Sequence, residues 1–363
     1  MRAGAPAEVL AGACLWRPRV TSWLGGRLLA AQVPILGGKV TAKTTDDVLE
    51  QLTLTVARMS APEAGGDVVD WRPTSTDAPL ARFGQTLDVS IILTSVITGQ
   101  VWETRIGRYQ IKDWDDDDAG LITVKGESLI ARPRDDKLRT LSSPSGTFMS
   151  EVRRLLPPGM GVSFDTRLVD RTVPQSMSWS TDRWKNLTEI AAAWPALIRV
   201  DEWGQLVFRA PLPAVPVPVL TLRDGESGTL ISAPRADSRA DAYNLVIATS
   251  SSTDAADVQG IAAVTAGPMS INGPYGAVVK EWSSPLLETQ SQANASAATM
   301  LANSIRPAQS VPVTIAPDPR IQLDDAVAVL RGEDAPMWGW VTGYEMPLTA
   351  KDGAMRIDVG TPS

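Results

Sequence analysis

Histidine is missing from this sequence, and cysteine occurs once, as Cys14. The first absence excludes a Ser-His-Asp triad, a Cys-His dyad and histidine-liganded zinc. The second excludes an internal disulfide and a thiolate metal cluster. Cys14 itself reads as a small buried apolar residue. No window approaches the ~18 apolar residues needed to cross a bilayer. Arg2, Glu8, Arg17 and Arg19 break up the N-terminal stretch where a secretory signal would need its apolar core. An excess of positive charge is missing too. With 34 Lys and Arg against 41 Asp and Glu, the net charge is −7, which argues against a DNA-wrapping surface. These absences predict a protein assembled in a cytoplasm, with no membrane span, cofactor or metal.

What is present favours strands. Pro (27) and Gly (28) are both frequent, which suits many turns and short elements. A length of 363 residues allows two or three domains. Leu52, Leu54 and Val56 alternate with Thr53, Thr55 and Ala57, the period of a half-buried strand. Leu87–Leu93 and Glu103–Ile111 flank a Thr98-Gly99-Gln100 turn and read as a hairpin. A second stretch matches the first. Asp88 precedes Trp102 by 14 residues and Asp324 precedes Trp338 by 14; each Trp precedes a glycine, Gly107 or Gly343, by 5. Tyr109 and Tyr344 follow, and then a turn, Asp118-Ala119-Gly120 or Asp352-Gly353. A duplicated β-unit in one chain predicts a structural part that matches a ring of higher symmetry than its own.

The middle of the chain differs. Phe148–Leu156 reads as a short helix stopped by Pro157-Pro158, and Thr181 or Asp182 caps a helix over 183–193. Leu197–Val200 and Leu206–Arg209 form a hairpin, and the Pro-rich run 211–218 is a stiff connector. An Ala-rich helix is expected over 289–304. The fold class is therefore mainly β with an α+β insertion: residues 1–132 a first β-domain, 133–232 an inserted α/β module with its connector, 233–363 a second β-domain.

Certain residues invite a chemical reading. Asp113, Asp115, Asp116, Asp117 and Asp118, in one acidic run with Trp114, read as a solvated loop. It lacks the ligand spacing of an EF-hand, so it is at most a weak calcium site. Arg132, Arg134, Lys137 and Arg139 are interleaved with Asp135 and Asp136, which weakens a phosphate-binding reading. Trp102 and Trp338 are expected as core anchors, and Trp179, Trp184, Trp194 and Trp203 as packing within the module. The carboxylate pairs Asp165/Asp170 and Asp201/Glu202 do not stand out as a glycosidase pair.

Taken in order, several motifs resemble one family. They are the strand at Asn244-Leu245-Val246-Ile247, the Gly273-Pro274-Tyr275-Gly276 turn, the Ala-rich helix, Pro319, Leu323-Asp324 and Gly339-Trp340-Val341-Thr342-Gly343-Tyr344. This order resembles the baseplate hub, or tail-tip, proteins of tailed bacteriophages, especially the minor tail proteins of long-tailed actinobacterial phages. Gly38-Lys39-Val40-Thr41 and Phe83-Gly84-Gln85-Thr86-Leu87-Asp88 are similar to the first hub domain. The resemblance implies two tail-tube-like β-barrel or sandwich domains per chain and a homotrimer that forms a pseudo-hexameric ring at the distal end of the tail tube. It implies a virion location at the tail tip. Expected partners are the distal tail ring, the tape measure protein and other tail-tip proteins, with genomic DNA passing through without specific binding. No enzymatic role is expected. A tail-associated cell-wall hydrolase, a receptor- or sugar-binding tip protein and a hexameric distal tail ring are the alternatives. The expected interface or lumen residues lie on strand edges, at Gln85 and Asp88 and at Gln322 and Asp324, and in the Asp113–Asp118 run.

Overall fold

Alternation of apolar and polar residues sets most of the chain in strands. The computed structural model describes residues 1–61, 66–117, 119–234, 242–252, 255, 257–308 and 310–361. The first part holds α1 (Ala7–Leu10), β1 (Cys14–Leu24), β2 (Arg27–Ala30), β3 (Ile35–Lys43) and β4 (Glu50–Ala57). A two-residue ribbon follows, β5 (Met59–Ser60) with β6 (Val69–Asp70), then β7 (Thr86–Ser95), β8 (Val101–Asp116) and β9 (Leu121–Ser128). The middle holds α2 (Ala131–Asp135), α3 (Phe148–Leu155), β10 (Val162–Phe164), α4 (Arg183–Ala193), β11 (Leu197–Val200) and β12 (Leu206–Arg209). The last part holds β13 (Leu220–Arg223), β14 (Leu230–Ser232), β15 (Leu245–Ser250), β16 (Gln259–Ala263), β17 (Val279–Ser284), α5 (Gln290–Ala308), β18 (Ser310–Ile315), β19 (Ala326–Leu330), β20 (Met337–Pro347) and β21 (Met355–Gly360).

The architecture is mainly β with a small α/β module. Gly25 and Gly26 turn β1 into β2 with φ of +55° and +85°, the mirror-image turn that suits hairpin twist and needs residues without a Cβ. In the module, Asp182 accepts the Lys185 N–H at 3.0 Å and so caps α4, while Thr147 caps α3. Leu187 and Ile190 of α4 and Phe148 and Val152 of α3 are buried, and β10, β12 and β11 form a three-stranded sheet beside them. Ala293, Ala297 and Leu301 bury one face of α5. It lies so close to β16 that a Cβ on Gly260 would fall 2.2 Å from the Ala293 carbonyl carbon.

The duplication is real, but its register is not the one the spacing predicts. Within one 13-stranded sheet, the order β3-β4-β9-β8-β7 recurs as β14-β18-β21-β20-β19, in the same chain order and with every neighbour antiparallel. Matching irregularities fix the correspondence. The β8–β9 ladder shifts between Ile111 and Asp113, as β20–β21 does between Val341 and Gly343. The β3–β4 ladder shifts between Ile35 and Gly37, as β14–β18 does between Leu230 and Ser232. Thr86, opposite Gln110, then answers to Ala326, opposite Trp340. The turn glycines Gly120 and Gly353 coincide, both with positive φ. Asp88, however, answers to Ala328, four residues past Asp324, and Trp338 answers to Arg108, six past Trp102. The bulge between Val89 and Ser90 in the β7–β8 ladder lies between Trp102 and Arg108, and Asp324 precedes β19 in a left-handed conformation, so the equal spacings do not mark equivalent places in the two units.

Three further expectations are corrected. β13 and β14 pair with β19 and β18, so they join the second unit's sheet rather than the module to which the 133–232 boundary assigned them. Trp338 is no core anchor: it is 50% exposed, while Trp102 is half-buried against the core. The acidic run is not a loop up to Asp116, because β8 continues through it, paired residue by residue with β9.

Candidate assembly interface

The strands expected to present exposed edges lie inside the sheet, with Asp88 in β7 and Gln85, Gln322 and Asp324 just before β7 and β19. β7 is paired on one flank with β1 and on the other with β8; β19 lies between β13 and β20. Gln85 is fully buried and donates from Nε2 to the carbonyls of Thr76 and Ala78 at 2.6 and 3.1 Å. Gln322 is half-buried, and its N–H donates to Asp325 at 2.9 Å.

Asp88 and Asp324 are buried anchors for the inserted module. Arg108 grips Asp88 with two bonds of 2.6 and 2.8 Å, and Arg105 reaches it at 2.7 Å. Arg105 also donates to the Glu202 carbonyl at 2.7 Å and lies over the Trp203 ring, 4.2 Å from its centre. The β11–β12 turn is thereby fastened to β8. Arg199, on β11, grips Asp324 with bonds of 2.6 and 3.0 Å, and Arg209 stands 3.7 Å away. The hairpin is fastened to the second unit as well. Asp324 has a φ of +69°, a conformation that Asp tolerates better than most residues. Forked guanidinium–carboxylate pairs of this kind fix geometry as well as energy. An Asp followed by a strand carries no signal of its arginine partners, which lie 17 to 125 residues away in the chain; sequence spacing could not have found them.

A second buried cluster joins the two β-units. β20 pairs with β3 through residues 343–347. Beside that join, Tyr344 donates to Glu50 Oε1 at 2.8 Å and Tyr109 donates to Oε2 at 3.2 Å. The two tyrosines that the sequence repeat singled out therefore meet on one carboxylate. Arg2 completes the cluster, donating to the Ile321 carbonyl at 2.5 Å and to the Tyr344 hydroxyl at 3.1 Å, with Glu50 at 3.5 Å. Burial pushes both tyrosine hydroxyls above their ordinary range.

Among the predicted residues, those of the acidic run are exposed. Asp113, Asp115, Asp116 and Asp117 all face solvent, while Trp114 is half-buried against the core. Lys125 stands 3.6 Å from Asp115, and Arg58 and Arg72 stand 3.8 and 3.7 Å from Asp116. Asp117 closes the turn by accepting the Leu121 N–H at 2.7 Å. Asp118 lies outside the described residues. Among the described residues no three His, Cys, Asp or Glu side chains are grouped to hold a metal ion. The basic cluster is tied within the chain: Arg134 to Glu127 and Lys137 to Asp182, both at 2.7 Å. Three of the carboxylates considered for hydrolysis, Asp165, Asp170 and Asp201, serve local structure, Asp170 by accepting the Met149 N–H at 3.1 Å. Asp165 binds Arg167 and the Ala210 N–H, and Asp201 accepts the N–H groups of Trp203 and Gln205.

The paired carboxylates set the acid limit of the fold. Burial pushes Asp88 upward, but the hydrogen bonds from Arg108 and Arg105 outweigh it and hold its pKa below the ordinary range. Glu127, with Arg134 and Lys112, and Glu151, with Arg154, behave in the same way. A carboxylate with a depressed folded pKa contributes stability that is complete above its unfolded pKa of about 4 and is lost as pH falls through the folded value. Thermal unfolding followed against pH should show a flat midpoint from about pH 7 to 5 and a fall below about pH 4. A midpoint that rose on acidification through that range would contradict these assignments.

No family model matches the chain, and no curated protein matches it in sequence. Solved structures do. A tail protein from Neisseria meningitidis is 13% identical with a TM-score of 0.65, over 95% of this chain and 96% of its own. The 43 kDa tail protein of prophage MuSo2 from Shewanella oneidensis is 14% identical with a TM-score of 0.61, over 94% of this chain and 98% of its own. Prophage tail protein gp18 from Listeria monocytogenes is 8% identical with a TM-score of 0.54, over 94% of both chains. At these identities the likeness carries the fold, and this chain has the fold of those phage tail proteins over nearly its whole length.

Proposed function

We propose that this chain is a structural hub protein of a phage tail tip. Three copies form a pseudo-hexameric ring that closes the distal end of the tail tube, meets the distal tail ring on one side and the tape measure and tip proteins on the other, and opens for the genome. One observation carries this reading: two five-stranded units in one polypeptide match strand for strand and neighbour for neighbour, and two of their ladder irregularities coincide. A chain that contains the same unit twice lets three subunits present six like surfaces. The fold shared with phage tail proteins agrees with it. The net charge of −7 suits a channel wall that repels rather than retains a polyanion. The actinobacterial type of long-tailed phage remains the host range that the sequence resemblance favours. No catalytic role is assigned, since Asp165, Asp170 and Asp201 among the candidate carboxylates are occupied by local hydrogen bonds.

The test is copy number and place. Imaging of purified tails with this chain labelled should show three copies on the tail axis at its distal end. Six copies would select a distal tail ring instead, and a peripheral position would select a receptor-binding part.

A further inference from the structure

Eight strands of the long sheet run as neighbours, β14-β18-β21-β20-β3-β4-β9-β8. Alternation gives them two faces of different character. On one face Val40, Leu52, Leu54, Ile122 and Val124 share the core with Val20 of β1 and Leu87 of β7. On the other, Thr41, Thr53, Thr55 and Thr123 are half-buried among exposed charges. Strand pairing carries this second face across the join of the two units. One row reads Lys125-Thr53-Lys39-Pro347, and the next reads Gln51-Thr41-Glu345-Arg356. The inserted module and the last turn of α5 meet the sheet toward one end of these strands. There a Cβ on Gly204 would lie 3.3 Å from Arg108 Cβ, and Arg306 lies over the Trp340 ring at 4.7 Å.

The charges on this face are matched. Lys39 Nζ stands 3.1 Å from Glu345, across the join, and Lys125 stands 3.6 Å from Asp115. Arg356 lies opposite Glu345. Lys43 and Asp358 both lie opposite Gly343, where a Cβ would fall 2.8 Å from Asp358 Oδ2 and 3.4 Å from Lys43 Cγ. Each of these cations therefore has a carboxylate close by on the same face. Binding of a nucleic acid backbone is driven by cations that neutralise phosphates and release counterions, and a lysine already matched by a carboxylate supplies little of that drive.

We infer that this face lines the channel, with duplex DNA in transit as its partner, and that its carboxylates keep its lysines from gripping the phosphates. The inference rests on the ring reading above, and adds which surface forms the wall and how its charge is set. A sheet closed on itself turns one face inward. The core face is filled by other strands of the same chain, so the exposed face is the one that borders the opening. A surface of threonines and matched charges offers a passing polyanion no unopposed lysine.

Two experiments on the full chain test this. Asp115→Asn with Glu345→Gln frees Lys125 and Lys39 and changes two solvent-facing side chains. With a linear DNA duplex as probe at low salt, the wild type should not bind. The double variant should bind, and its affinity should fall by about tenfold or more as salt is raised from about 50 to 200 mM. Adding Lys39→Gln and Lys125→Gln should abolish the binding again, with circular dichroism unchanged throughout. In virions, the double variant should slow genome release by about tenfold or more, through the same phosphate contacts. Glu103→Gln, which frees Arg19 on the far side of β7, should leave release unchanged. No gain of duplex binding, or release at the wild-type rate with three copies still at the distal end, would overturn this wall and leave the ring. Equal slowing by Glu103→Gln would overturn it as well, because the effect would not depend on the face. A chain imaged off the tail axis would remove the ring, and the wall with it.

Discussion

Replacing Glu50 by alanine is expected to destabilise the protein by about 3–5 kcal/mol, the usual cost of removing one partner from a buried charge pair. Glu50 accepts from Tyr109, Tyr344 and Arg2 at the seam of the two β-units. Without it, the Arg2 guanidinium is left buried and uncompensated, and two buried phenolic hydroxyls lose their acceptor. Arg2 keeps its bond to the Ile321 carbonyl, which limits the loss. Glu50→Gln retains an acceptor and most of the volume, so it should cost less than the alanine variant. Replacing the ionic pair whole, as Arg2→Met with Glu50→Leu, should recover the part of the loss due to the uncompensated guanidinium but not the part due to the two tyrosine hydroxyls. Denaturant unfolding of the three variants checks the order. If Glu50→Ala unfolds at the wild-type midpoint, the cluster does not hold the seam.

Trp194→Ala is expected to cost a similar ~3–5 kcal/mol, by cavity formation in the module. Trp194 is 5% exposed and packs on Phe148, Phe164 and Phe208 at ring separations of 5.5, 5.8 and 6.1 Å. Its indole N–H donates to the Val169 carbonyl at 2.7 Å. Loss of the ring removes three aromatic contacts, each of which adds about 0.5–1.5 kcal/mol beyond its buried area, and leaves that carbonyl unpaired. Because the ring contacts of Trp194 are all with residues of the module, the loss should appear locally. Hydrogen exchange should accelerate across α3, α4 and the β10–β12 sheet and remain slow in β4 and β9. Uniform acceleration over the whole chain would mean that the module and the β-units unfold as one.

The module was legible in the sequence because its signals are local. The Asp182 cap, the apolar face of α4 and the stop at Leu156-Pro157 each lie within a few residues of what they determine. The duplication was legible as a repeat, but its strand order and register were not. The repeat rested on single Asp, Trp and Gly positions, whereas register is set by bulges and ladder partners far apart in the chain. Gln85, Asp88 and Asp324 were read as interface residues because polar side chains beside the repeated strands were expected at exposed edges. The arginines that bury Asp88 and Asp324 come from other strands, and the carbonyls that hold Gln85 come from a preceding loop. The acidic run was read as a loop because consecutive aspartates disfavour strands; pairing to β9 overrides that preference at a solvated edge.

The units differ most in what separates their first two strands. A short turn leads from β3 to β4, where the Lys43 N–H reaches the Leu49 carbonyl, whereas between β14 and β18 the chain builds β15, β16, β17 and α5. In the proposed ring these elements would stand on alternate units only, giving the rim three lobes with plain stretches between them. A neighbour with sixfold symmetry could grip the inner strands and ignore the lobes. A neighbour with threefold symmetry could key on them, so one annulus would present a different periodicity to each side of the tail.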